Sequence, residues 1–328
     1  MTRRPLALAA VALAAAATLG VLLGTEPVSV ARAIEGPGLD RTILVQLRLP
    51  RVALAALSGG GLAVVGAAFQ ALLRNPLAEP YVLGVSGGAA LGAASAIALG
   101  LGASTFLGAA LLPAAALAGG LGATLVVYGV ARGSADGTSS ASILLAGIMV
   151  NSIAAALITF LKSLVSPSRA QQLLRWLVGF IDLPPTAGLL AAVAYVGVGC
   201  AVLLSDAARL NLLALGDEAA ETLGVDVRAL ERRVFFASSC VVGAIVSLTG
   251  LIGFVGLVVP HALRRIAGPD HRLLLPLSVL TGAAALVACD LLARVLFRWL
   301  GTEPPVGAVT AILGGPAFLI MLRRMSRS

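Results

Sequence analysis

Apolar residues along this chain come in long unbroken runs, not in the alternation of a half-buried strand or the three-to-four rhythm of a helix resting on a soluble core. A helix that crosses the hydrocarbon of a bilayer takes about 20 apolar residues. The uncharged stretches 5–24, 52–73, 137–161, 183–205, 273–289 and 304–322 each supply one. The stretch 82–131 is too long for one span and must fold back, with Gly100, Gly102, Ser104 and Thr105 marking the turn. The stretch 234–263 admits one tilted helix or two short ones. Parity decides: Arg3 and Arg4 at one terminus and Arg323, Arg324 and Arg327 at the other put both ends on the cytoplasmic side, so the number of spans is even. A split at Thr249-Gly250 satisfies this. Six single spans, one double and one split pair make ten, and the expected fold is all-α, a polytopic membrane protein forming a single domain over 1–328. The first run resembles a signal peptide, but its length and the spans that follow favour an uncleaved first helix.

Composition supports the same class. Of 328 residues, 59% are hydrophobic and 12% charged, more apolar surface than a soluble core can hide. Most of it is Ala, Leu, Val and Gly, with 4% aromatic residues, which suits helices that approach closely through small side chains. The short alternating strands of a membrane barrel are absent from the pattern. Cys200, Cys240 and Cys289 fall inside apolar runs without the spacing of a metal site or a disulfide framework, so they read as small buried hydrophobes. The net charge of +8 is distributed in patches between spans, with no basic, aromatic-laced module for nucleic acid.

With the N-terminus inside, the loops near Arg74 and Arg132 and those at 206–233 and 264–272 are cytoplasmic. The outer face then receives Arg32, Arg41, Arg48, Arg51, Lys162, Arg169, Arg175, Arg294 and Arg298. That excess of positive charge outside calls for an acidic partner.

Three segments carry a family resemblance. Arg48-Leu49-Pro50-Arg51 leads into a helix ending Gln70-Ala71-Leu72-Leu73-Arg74-Asn75-Pro76-Leu77-Ala78-Glu79-Pro80, followed by Leu83-Gly84-Val85-Ser86-Gly87-Gly88-Ala89. Leu215-Gly216-Asp217-Glu218-Ala219-Ala220-Glu221-Thr222-Leu223-Gly224-Val225 occupies the largest inner loop. Gly253-Phe254-Val255-Gly256-Leu257-Val258-Val259-Pro260-His261 and Asp270-His271-Arg272-Leu273-Leu274-Leu275-Pro276 precede Glu303-Pro304-Pro305-Val306-Gly307. From about Arg48 to the C-terminus the chain resembles the FecCD-type permeases, which serve iron-siderophore, haem and cobalamin importers; the breadth of siderophore use in the family puts an iron-siderophore first as the expected cargo, with cobalamin close behind. The resemblance implies ten helices per subunit in a bacterial inner membrane and a homodimer with the substrate path at its interface. It also implies two separate ATPase subunits inside, where ATP and Mg would bind, a soluble binding protein outside, and no cofactor on this chain.

The inner loop has a physical reading of its own. Asp217, Glu218 and Glu221 come early in a short helical pattern, where carboxylates favour the N-terminus, and Leu215, Ala219, Ala220 and Leu223 form an apolar stripe. Such a helix wants a groove in a partner; its acidity argues against a helix lying on the membrane. In the family the segment from Leu215 and Gly216 to Gly224 resembles the coupling helix that docks on the ATPase. Asn75-Pro76-Leu77 and Thr138-Ser139-Ser140-Ala141 are turn chemistry at the inner mouths of adjacent spans. The resemblance makes Asn75, Leu77, Ser140 and Ala141 a cytoplasmic gate, although Ala141 departs from the family's Ser-Thr-Ser pattern. It also makes Arg48, Arg51 and Arg294 the outer arginines that receive glutamates of the binding protein.

Asp290 and Arg294 stand four apart and can pair on one helix face. His261 follows a proline taken to end a helix and His271 lies in a polar loop; without clustered ligands both read as local hydrogen bonders. Gly119-Gly120-Leu121-Gly122 reads as a helix-packing surface, and Trp176 and Trp299 suit the outer headgroup belt. The chain cannot hydrolyse ATP through a P-loop, because its one lysine, Lys162, follows Leu161 and not the required glycine. An ion-coupled secondary transporter is the competing class, and span centres almost free of ionisable residues argue against it. A membrane enzyme would need paired carboxylates or an activated nucleophile, and none appears within the spans.

Overall fold

The computed structural model describes residues 3–81, 83–101, 106–132, 140–184 and 186–325. Every regular element among them is helical: α1 (Arg3–Leu22), α2 (Val30–Glu35), α3 (Leu39–Thr42), α4 (Leu49–Leu72), α5 (Val85–Ala98), α6 (Phe106–Arg132), α7 (Ser140–Leu164), α8 (Pro167–Val178), α9 (Thr186–Ser205), α10 (Ala207–Leu213), α11 (Asp217–Thr222), α12 (Val227–Thr249), α13 (Val255–Ala267), α14 (His271–Leu300) and α15 (Val306–Met325). Seven stretches are long and apolar enough to cross a membrane: α1, the continuous run Leu39–Leu72, and α6, α7, α9, α12 and α14. The chain is thus an all-α, polytopic membrane protein. Helices α5 and α15 are shorter apolar helices, and α13 has 13 residues.

Helix α4 is the axis of the bundle. Nearly all of it from Val52 to Leu72 is buried, against α14, α13, α12 and α9, whereas α1 lies largely exposed along α14. In lipid no hydrophobic drive distinguishes helix from solvent, so close backbone approach supplies the attraction. A Cβ on Gly59 would sit 2.2 Å from the Gly282 carbonyl oxygen, so α4 and α14 touch backbone to backbone there. The expected packing role of Gly119 holds in the same way: its Cβ would lie 2.2 Å from the Gly88 oxygen, between α6 and α5.

The run 82–131 does fold back as α5 and α6, with Gly102, Ser104 and Thr105 outside the described residues. The split of 234–263 also holds, at Gly250 (φ 66°), but α12 starts earlier and α13 later than expected. Three expectations need correction. The span at 273–289 is 30 residues long, because Asp290, Arg294 and Arg298 continue the helix instead of ending it: their charges are neutralised or hydrogen-bonded inside the protein. Pro260 ends no helix; α13 runs through it and His261 to Ala267. The loop at 206–233 is the helix pair α10 and α11, and its last seven residues are already the first turns of α12.

Besides the short helices α2 and α3, two elements have no counterpart in the hydropathy reading. Ile43–Arg48 is a π-helical turn joining α3 to α4. Its cause is Pro50, which cannot donate to the carbonyl four residues back, so the ladder widens before α4 begins. Helix α8 is amphipathic: Leu173 is buried, while Arg169 turns outward and donates to the Ala98 carbonyl at the end of α5 (3.0 Å).

Candidate functional site

At the end of the bundle where α1 finishes and α4 begins, the three arginines singled out above come together. Arg51 pairs with Asp290 (Nη2 to Oδ1, 2.8 Å) and with Glu303. Arg294, one turn beyond Asp290 on α14, pairs with its other oxygen at 2.9 Å, so the expected i,i+4 pair forms. Asp290 is wholly buried, and two guanidiniums on one carboxylate are what make that burial tolerable. Arg294 also donates to the carbonyls of Gly20 (2.8 Å) and Leu23 (3.2 Å), and Arg48 donates to those of Val21 (3.1 Å), Leu22 (2.8 Å) and Glu26. Arg298 adds Gly24 (2.7 Å) and Thr25 (3.3 Å). Gly20, Val21 and Leu22 belong to the last turn of α1, whose carbonyls have no partner within the helix and lie at the negative end of its dipole, and Leu23, Gly24, Thr25 and Glu26 follow directly after it. These arginines are therefore in large part the C-cap of α1, a use that sequence spacing did not reveal. Arg298 and Glu303 were missed as members of the cluster; the i,i+4 step from Arg294 to Arg298 was the available signal.

Arg48 and Arg294 are buried and Arg51 is partly open. All three line one cavity of about 340 Å³ together with Glu26 and Asp182. At about 30 Å³ per water it has room for a carboxylate-bearing side chain. Trp299 on α14 is exposed near this end, whereas Trp176, on α8, is partly buried against the core.

A second constellation joins the broken helices. The Glu79 carboxylate accepts from the Phe254 N–H (2.8 Å), which opens α13 in a left-handed conformation (φ 69°), and the Tyr81 hydroxyl accepts from the Ile252 N–H. Asn151 of α7 donates to the Tyr81 carbonyl (2.6 Å) and accepts from the Gly87 N–H (3.2 Å). Irregular backbone survives inside a membrane protein only where side chains satisfy it in this way.

At the opposite end, Asn75 forms a turn by accepting from the Leu77 N–H (2.9 Å), and Leu77 is exposed. Thr138 and Ser139 lie outside the described residues; Ser140 and Ala141 open α7, and their side chains lie outside them too. The expected gate pair is thus placed on one side only.

The segment expected to couple is α11, followed by Gly224 at φ 85°. Its apolar stripe needs correction: Ala220 is 0% exposed and packed inward, while Leu215 and Leu223 are 65% and 57% exposed, so the outward apolar face consists of the two leucines. Arg74, at the end of α4 beside Asn75, pairs with Asp217 at 2.6 Å. Nearby, His271 Nδ1 lies 2.7 Å from Asn211 Oδ1, the local bond expected of it, and His261 meets the edge of the Phe318 ring. Asn211 Nδ2 donates to Asp270 (2.7 Å), which also accepts from the Arg272 N–H (3.0 Å); these bonds hold the Asp270 carboxyl below the usual carboxylate range. Among the described residues no group of three His, Cys, Asp or Glu could hold a metal ion.

The family model of the FecCD transport family matches residues 11–324. A cobalamin import system permease protein of Halobacterium salinarum is 42% identical over 293 residues, covering 88% of this chain and 75% of the relative. The hemin transport system permease protein of Yersinia pestis is 39% identical over 282 residues, covering 86% and 83%. A metal-chelate type ABC transporter solved in an inward-facing conformation superposes with a TM-score of 0.86 at 28% identity, covering 98% of this chain and 99% of that one.

Proposed function

The chain belongs to the FecCD transport family, and from that premise we propose that it is the permease subunit of an ATP-driven importer, working as a homodimer with the cargo path between the copies. The observation behind this reading is the agreement over nearly the whole chain with an inward-facing metal-chelate type transporter. In this reading α5, α13 and α15 join the seven long helices as spans, both termini face the cytoplasm of a bacterial cell, and α11 lies inside. Exposed Leu215 and Leu223 then seat in a groove of an ATPase subunit that carries ATP and Mg, with Asn75, Leu77, Ser140 and Ala141 at the inner mouth of the path. A binding protein docks at the other end, an acidic side chain entering the cavity edged by Arg48, Arg51 and Arg294. Arg51 is best placed to receive it, because its fork is the least enclosed of the three and suits a carboxylate.

For the cargo, the sequence alone put an iron-siderophore first. The relatives named above move cobalamin ahead of it, with haem next; all are bulky metal-bound ligands that suit a path between small, apolar helices. The test is uptake by vesicles containing this chain with its ATPase and binding protein, offered cyanocobalamin, haemin or a ferric siderophore. ATP-dependent accumulation of cyanocobalamin is expected. Accumulation of another of the three changes the cargo, and ATP-dependent uptake of none overturns the importer. Docking through arginines further expects the binding protein's affinity to weaken as salt rises; salt-independent affinity overturns that part.

A further inference from the structure

Between α9 and α12 runs a groove of about 510 Å³. Its walls are Tyr195, Val198 and Val202 of α9 and Phe236 and Cys240 of α12, and Arg233 closes the end next to α10. From Ala194 to Val202 it extends eight residues along α9, about 12 Å at 1.5 Å per residue. That is most of the roughly 15 Å depth of one leaflet. The flanks of α9 are exposed and apolar, as Leu190, Val193 and Val198 show, which is the character of a surface that faces lipid.

What sets the groove apart from ordinary lipid-facing surface is its charged end. Asp206, wholly buried between α9 and α10, binds Arg209 through one oxygen (Nη1 to Oδ1, 2.6 Å) and Arg233 through the other (Nε to Oδ2, 3.4 Å). Two guanidiniums share one carboxylate, which leaves one positive charge at the mouth. Both side chains stay about half exposed, at 51% and 47%, so their forks can reach a further anion. An apolar slot of leaflet depth with a pair of arginines at the headgroup level matches the shape and charge of one kind of molecule. Guanidiniums bind phosphate bidentately, and basic pockets between spanning helices favour anionic headgroups.

We propose that the groove between α9 and α12 is a binding site for an anionic phospholipid, its phosphate held by Arg233 and Arg209 and an acyl chain lying along Val198, Tyr195 and Cys240. Asp206 immediately precedes α10, and α10 leads into α11, so the headgroup would steady the joint that carries the exposed leucines.

The purified full chain, exchanged in mixed micelles of phosphatidylglycerol and phosphatidylcholine, can be weighed intact to count the lipids it retains. Wild type should prefer phosphatidylglycerol by about fivefold, given roughly one kcal/mol for the one positive charge that Asp206 leaves at the headgroup. Arg233→Ala should abolish the preference, as should Val198→Trp, which fills the slot from an exposed position without touching the charges. Arg232→Ala, on the same turn of α12 but off the groove, should keep it. Equal retention of the two lipids by wild type overturns the site. So does a preference that survives either groove variant, or one lost equally in Arg232→Ala, which would mean diffuse attraction to basic charge.

Discussion

The two ends of this bundle solve the same electrostatic problem in opposite ways. At the α1 cap, Asp290, Arg294, Arg51 and Arg48 are buried or nearly so, and their bonds to each other and to carbonyls lock three helices together. At the α11 end the side chains of Arg74 and Asp217 are both about half exposed, the arginines that meet the buried Asp206 also keep about half their surface open, and the neighbouring leucines face outward. A buried charge that loses its partner has no water to fall back on, whereas an exposed one does. The cap is thus built as a frame and the other end as a part that can shift against a partner.

The sharpest way to break that contrast is at Asp290. Asp290→Ala leaves Arg51 and Arg294 facing each other without their shared carboxylate, and the expected loss is about 3–5 kcal/mol of stability, read by thermal or denaturant unfolding in micelles. Pairing Asp290→Leu with Arg294→Met removes both charges and should recover much of the loss, short of the carbonyl bonds that Arg294 made to α1. An unfolding midpoint for Asp290→Ala equal to wild type would mean that the pairs do not frame the cap.

Next in size is α11, where two positions separate packing from partner contact. Ala220→Arg forces a large charged side chain into a filled interior and should destabilise the protein by about 1–3 kcal/mol or more. Leu223→Arg changes an exposed residue and should leave stability within about 0.5 kcal/mol, yet sharply reduce ATP hydrolysis stimulated by the loaded binding protein. If Leu223→Arg behaves like wild type in stimulated hydrolysis, the leucine face is not the coupling surface.

Arg74→Ala should cost at most about 0.2–1 kcal/mol, the usual worth of an exposed pair. Because Arg74 joins α11 to the turn at Asn75, its measurable effect should fall on coupling, as a lower ratio of transport to hydrolysis. A stability loss as large as that of Asp290→Ala would erase the distinction between the two ends.

How much of this was legible beforehand depends on what kind of interaction carried the information. The long helices followed from hydropathy alone, and the break at Gly250 from parity, because lipid imposes one length rule on every span. The end of α14 was misjudged for the same reason: charge was read as a boundary, whereas Asp290 and Arg294 are neutralised by partners, one of them, Arg51, 239 residues away in sequence. Helix α8 escaped because it is polar on one face and too short to span. Pairing Asp290 with Arg294 needed only helical spacing. The carbonyl capture by Arg48 and the inward turn of Ala220 depend on which way a helix faces, and elements only six residues long leave that open.

The smallest effect expected separates the exposed end by pH. Asp270 caps α14 and accepts from Asn211 and from the Arg272 N–H, and its carboxyl titrates below the usual range for that reason. A depressed carboxylate contributes stability that is fully present above its unfolded pKa of about 3.9 and is lost as pH falls through the lower folded value. Wild type should therefore give up a small increment of thermal stability below about pH 4 that Asp270→Asn, which keeps a capping oxygen but no charge, does not. Asp270 is exposed, so the increment should be far smaller than the loss at Asp290 and should shrink further in high salt. Parallel acid profiles for wild type and Asp270→Asn would place the acid sensitivity of this end elsewhere.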